Sequence, residues 1–173
     1  MRADWRRTIV ALVALALAAG CGKKEPEGVE FLGGLHSYMT PGEARKALKA
    51  DREGWQIVDQ TKPLPSDTRP LFTTLSVEVK PVAHLGYGGD ITLLFYNSRL
   101  LKAQFYPDDF KGYSAALGGH GVYFGGKLED RSIPDRKVWI GKEADGRMYV
   151  GWEDLRLRQE MNDWIAKYGQ AGQ

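Results

Sequence analysis

The stretch "ITLLFYNSRLLKAQF", residues 91–105, constrains the fold of this chain more than any other. Two apolar, β-prone runs flank the short polar "NSR", so residues 91–106 read as a tight hairpin. Ile91, Leu93 and Phe95 should share one face, as should Leu101, Ala103 and Phe105. A short hairpin can join only antiparallel strands, so the sheet around it is expected to be antiparallel.

The flanking segments fit that expectation. "KVWIGK" and "MYVGW" surround "EADGR", where Asp145-Gly146 is a turn pair, and they predict a second hairpin. "WQIVD" (55–59) alternates as a short strand, and "LFTTLSVEVK" (71–80) repeats apolar residues with a period of two. "TKPLPSDTRP" (61–70) carries three prolines and reads as a loop. "PVAHLGYGGD" (81–90) reads as a chain reversal.

Three helices are predicted. Thr40, Pro41 and Glu43 make a capping box with proline at its favoured first position, and Ala44, Ala47 and Leu48 form the apolar face. Gly54 is the expected end of that region. Phe110, Tyr113, Ala116 and Leu117 predict a short second helix, capped within Asp108-Asp109 and ended by Gly118-Gly119. Leu157, Met161, Trp164, Ile165 and Tyr168 recur at helical spacing over 153–168 and predict a C-terminal amphipathic helix with a buried stripe. The expected class is α+β, an antiparallel sheet packed against helices, in a single domain over residues 31–173.

The N-terminus carries a separate message. Arg2, Arg6 and Arg7 precede the apolar run Ile9–Leu17, and the small residues Ala18, Ala19 and Gly20 follow. The run is too short for the ~20 residues that cross a bilayer. This order predicts a secretory signal over residues 1–20. The run stops at Cys21, the only cysteine, so no intramolecular disulfide can form. "LAAGC" resembles the lipobox of bacterial lipoproteins, which implies that Cys21 is acylated and tethers the mature chain to a lipid bilayer. Residues 21–30 then read as lipidated N-terminus and flexible tether. Gly22 stands where many Gram-negative lipoproteins retained at the inner membrane carry aspartate, which favours the outer membrane, on its periplasmic face. Without residues 1–20 the chain holds 21 basic and 21 acidic side chains, a balance that gives no electrostatic footprint for nucleic acid.

Residues 38–106 resemble the SmpA/OmlA and β-lactamase-inhibitor-protein-like group of small secreted bacterial domains. "YMTPGEARKAL" is similar to that group's helix start, and "GGDITLLFYNSRLLKAQF" to its closing hairpin. Tyr38 stands where the group has glycine, Ala44 where it has valine, and Lys49 follows Leu48 where it often has glycine. The resemblance implies a non-enzymatic domain that binds another protein in the envelope.

Chemical motifs are sparse. "GYSAA" (112–116) misses the nucleophile elbow by one residue, and Ser114 lacks the strand that an elbow needs before it. His36, His84 and His120 are widely spaced and read as loop residues, not as zinc ligands. "GGHGVYFGG" lacks the Lys-Ser/Thr of a phosphate loop. Neither a cofactor nor a catalytic residue is therefore expected. The function expected is binding or scaffolding in the cell envelope, in outer-membrane assembly or maintenance. The alternatives are a glycan-binding module using outward-facing rings such as Trp139 and Tyr149, and a small hydrolase.

Overall fold

A computed structural model describes residues 26–63, 66–120, 122 and 129–169. The signal segment, Cys21 and most of the "GGHGVYFGG" loop lie outside the described residues. The chain forms helix α1 (Pro41–Ala47), strands β1 (Trp55–Gln60), β2 (Thr74–His84), β3 (Tyr87–Tyr96) and β4 (Arg99–Pro107), and helix α2 (Phe110–Gly118). Strands β5 (Glu129–Asp130), β6 (Arg136–Lys142) and β7 (Met148–Asp154) and helix α3 (Leu155–Tyr168) follow. The seven strands form one antiparallel sheet in the order β1-β2-β3-β4-β7-β6-β5. The fold is α+β, as the two hairpin signatures require.

Residues 81–90 differ from the sequence expectation. β2 continues through Pro81 to His84, and β3 begins at Tyr87. Pro81 has no N–H for the ladder, and it sits where the register shifts between Val79 and Val82. Pairing resumes at Val82 with Gly89. The reversal is only the pair Leu85-Gly86, with φ of 53° and 82°. Asn97-Ser98, at 47° and 62°, turns β3 into β4 in the same way. Positive φ at both central residues marks turns whose twist matches that of the strands they join.

The main core lies on one face of the sheet. Val77, Val79, Ile91, Leu93, Phe95, Ala103, Phe105 and Trp152 are buried there, beneath α1, α2 and the segment Phe31–Leu35. Leu101 departs from the expected alternation. A bulge pairs Phe95 with Leu100 and Leu94 with Lys102, so Leu100 takes the place on the main face. Leu101 joins Tyr96, Leu157 and Met161 in a smaller cluster under α3. On the outer face, the rings of Trp139 and Tyr149 occupy the space that a Cβ on Gly151 and Gly141 would fill. Each ring thus covers the glycine directly opposite it.

α1 is closed at both ends by local hydrogen bonds. The Thr40 N–H donates to Glu43 Oε2 at 2.8 Å, and Glu43 N–H donates to Thr40 Oγ1 at 3.3 Å. The helix ends well before Gly54. Lys49, at φ 52°, donates its N–H to the Lys46 carbonyl, and Ala50 donates to that of Arg45. This is the paired closure usually made with glycine at the left-handed position.

α3 also departs from expectation. Its first two turns bury Leu157 and Met161, but Ile165 is 44% exposed, and Trp164 and Tyr168 are half-buried. The Trp164 ring lies 4.4 Å from that of Phe72, and its Nε1–H donates to the Pro70 carbonyl at 2.9 Å. Arg69 stacks over the same ring and donates to the Tyr168 carbonyl at 3.1 Å. The lower stripe of α3 therefore clasps the end of the proline-rich loop.

Three stability measurements follow from these local structures. In chemical denaturation, Lys49→Gly should raise stability by roughly 0.5–1 kcal/mol, because glycine adopts the left-handed position without steric cost. Trp164→Ala should lower it by about 2 kcal/mol, less than the roughly 3–5 kcal/mol of a fully buried aromatic, and Ile165→Ala should stay within about 0.5 kcal/mol.

Candidate functional site

The two edges of the sheet differ in kind. β5 is two acidic residues long, and Glu129 is held in ion pairs with Lys137 and Arg131. Short, charged edges resist the addition of another strand. β1 is six residues long and, among the described residues, pairs only with β2, so no described strand meets the backbone groups on its other side. Ile57 and Val58 on it are 60% and 65% exposed. Val58 is the extra residue of a bulge between Ile57 and Asp59, which bends the strand away from flat pairing. Trp55 anchors the start of β1 on the core, with its ring 6.4 Å from that of Phe95.

The structure separates most residues singled out by sequence. Ser114 lies inside α2 and donates to the Lys111 carbonyl at 3.1 Å, so the strand–turn–helix of a nucleophile elbow is absent around it. Asp109 is the N-cap of α2 and accepts from Gly112 N–H at 3.0 Å. His36 bridges Glu30 in the N-terminal segment. His84 is not a loop residue: it ends β2 and meets the Tyr113 hydroxyl at 2.7 Å through Nδ1. Burial holds its pKa below the ordinary histidine value, and the nearby His120 pushes it the same way. His84 and His120 line one small cavity with Arg136 and Trp152, a convergence of four separate chain segments. Among the described residues, no three His, Cys, Asp or Glu side chains group as a metal site.

The outer face carries Tyr106, Trp139 and Tyr149. Tyr106 and Tyr149 are tilted by 48° at 5.2 Å, and Trp139 and Tyr149 by 87° at 6.4 Å. These three rings do not form the coplanar row that stacks on a sugar chain. Tyr106 is further engaged, donating to Glu143 at 2.8 Å beneath the Arg147 guanidinium.

The most heavily bonded buried ion is Asp154, which has no exposed surface. It accepts from Ser37 Oγ at 2.7 Å, from Arg156 Nη2 at 2.8 Å, and from the N–H groups of Arg156 and Leu157 at 2.9 and 3.1 Å. Ser37 Oγ in turn accepts from Val29 N–H at 2.9 Å, and Arg156 donates to the Glu27 carbonyl at 2.9 Å. Hydrogen bonds at Glu27 and Val29 thus fasten residues that the sequence reads as tether. Beside them, the Tyr38 ring lies under both Arg99 and Arg156.

No family model, no curated protein and no solved structure matches this chain.

Asp154 makes stability depend on pH in a definite sense. Burial alone pushes its pKa up, but the donors from Arg156, Ser37 and Leu157 outweigh burial and hold it below the ordinary aspartate value. The carboxylate's contribution is therefore present above the unfolded-state pKa of about 3.9 and is lost as pH falls through the lower folded-state value. Asp154→Asn should cost roughly 2–3 kcal/mol at neutral pH, and urea denaturation should show that gap closing only below about pH 4.

Proposed function

We propose that the chain is a lipid-tethered bacterial envelope protein whose domain binds an extended segment of another envelope protein along β1. The observation that carries this reading is the contrast of edges: β5 is short and charged, while β1 is long, open and apolar at Ile57 and Val58. A partner strand there gains main-chain hydrogen bonds and covers both side chains. The clasp of Arg69 and Pro70 by α3 commits the far end of the proline-rich loop, so β1 itself is the docking element.

The backbone also supports the sequence resemblance. Tyr38 and Lys49, which stand where the resembled group has glycine, have φ of 67° and 52°. Glycine is the residue that adopts this conformation freely. The capped helix and closing hairpin that carry the resemblance are both present, as α1 and β3–β4. The lipid anchor and an outer-membrane, periplasmic location rest on Cys21 and its flanks in the sequence. The lipoproteins that "LAAGC" resembles carry three acyl chains on this cysteine, more than the two signals that stable anchoring needs.

Three variants separate the parts of this reading. Cys21→Ser should move the protein from the membrane fraction to the soluble fraction, and an unchanged distribution would overturn the anchor. The double variant Ile57→Lys, Val58→Lys should keep the melting temperature and fail to complement a deletion strain, whereas Ser114→Ala should complement it. Full complementation by the double lysine variant would overturn docking at β1, and failure of a folded, membrane-bound Ser114→Ala would turn the case toward an enzyme.

A further inference from the structure

A strand added to β1 meets a different chemistry on each side of the sheet, because the ladder with β2 sets the side that each β1 residue takes. Trp55 pairs with Val79 and Ile57 with Val77, and both valines belong to the main core. The bulge places Ile57 and Val58 together against Val77. On this side the free edge is apolar: Ile57 and Val58 are exposed, and Leu75, opposite Gln60, packs on the core.

The other side is polar and acidic. Gln56 pairs with Glu78, and Asp59 with Ser76, at the alternate positions of the ladder. Lys80 lies 2.9 Å from Glu78 and so neutralises it. Asp59 is the one charged residue of β1 and is exposed. No ion pair among the described residues engages it. Asp51, Arg52 and Glu53 precede the strand and Lys62 follows it, so three carboxylates stand against two cations along the edge.

Both described ends of the proline-rich loop turn from this edge. Thr61 N–H donates to the Thr74 carbonyl at 2.9 Å, and the Thr61 hydroxyl accepts from that of Thr74 at 2.8 Å, which carries the chain toward β2. At the other end, α3 holds Arg69 and Pro70. Side chains of a strand alternate between faces. A segment paired with β1 therefore sets every second side chain beside Ile57 and Val58, and the others beside Gln56 and Asp59. Cross-strand pairs favour apolar residues against β-branched ones and opposite charges against each other, and they disfavour like charges.

We propose, on the reading that β1 is the docking element, that the partner segment is a strand in which β-branched apolar residues alternate with lysine or arginine. Its apolar set covers Ile57 and Val58, and a cation meets Asp59. The probes are three end-blocked hexapeptides, alternating Val-Lys, Val-Glu and Ser-Lys. Each is titrated into the full chain at low ionic strength while the backbone amide signals of residues 55–60 are followed by two-dimensional NMR. Val-Lys should shift these signals saturably, with a Kd at or below about 1 mM. Val-Glu and Ser-Lys should each bind more weakly by roughly fivefold or more. Asp59→Lys, at an exposed position, should reverse the order of Val-Lys and Val-Glu. Equal affinity for Val-Lys and Val-Glu, or an order that Asp59→Lys leaves unchanged, would overturn the charge assignment while docking at β1 stands. Ser-Lys binding as tightly as Val-Lys would overturn the apolar half. No saturable shift of residues 55–60 with any of the three would overturn this proposal and the docking reading together.

Discussion

The buried carboxylate of Asp154 is the constraint on which the arrangement of this molecule depends. It ends β7, caps α3, and accepts the Ser37 hydroxyl from a segment more than a hundred residues away in sequence. Such a group is stable only when fully bonded, because an uncompensated buried charge is strongly unfavourable. Its five donors come from the N-terminal segment and from the start of α3, so neither can move without exposing or orphaning the ion. That bond network fixes where the chain enters the fold and sets the direction in which α3 leaves it. The small cluster of Tyr96, Leu101, Leu157 and Met161 then follows from α3 having only one place to lie.

Much of this was legible in the sequence, for a physical reason. Hairpins and helix caps are decided within a few residues, and the turn at Asn97-Ser98, the capping box at Thr40 and the cap at Asp109 all appear where local chemistry puts them. Features decided by distant partners were not legible. The bulge that moves Leu101 to the other face depends on β3, and the passage of β2 through Pro81 depends on pairing that resumes at Val82 and Gly89. The stripe on α3 has perfect helical spacing, yet its lower half meets a loop rather than the core, and spacing carries no information on what lies opposite. The cavity was equally hidden, because Glu30, His84, His120, Arg136 and Trp152 come from five stretches of chain.

The candidate features sit at different parts of the sheet. β1 presents an open apolar edge, the far edge is blunted, and the small cavity lined by His84, His120, Arg136 and Trp152 lies between the core face and the N-terminal segment. None of them uses Ser114, whose hydroxyl is satisfied within its own helix. The left-handed residues Tyr38 and Lys49 bracket α1, and the backbone there keeps a shape that glycine would hold at lower conformational cost. At Tyr38 the offset is visible, since both Arg99 and Arg156 lie over its ring.

The ring-over-glycine pairs on the outer face act as a lock on strand alignment. Trp139 faces Gly151, and Gly141 faces Tyr149, so bulk and space alternate between β6 and β7. A slip of one residue sends every side chain to the wrong face. A slip of two restores the faces, but in one direction it sets Trp139 against Tyr149, and in the other it sets Gly141 against Gly151 and leaves both rings without a floor. The hairpin therefore has a single alignment in which every ring finds a gap, and that key is written in four residues rather than in its turn.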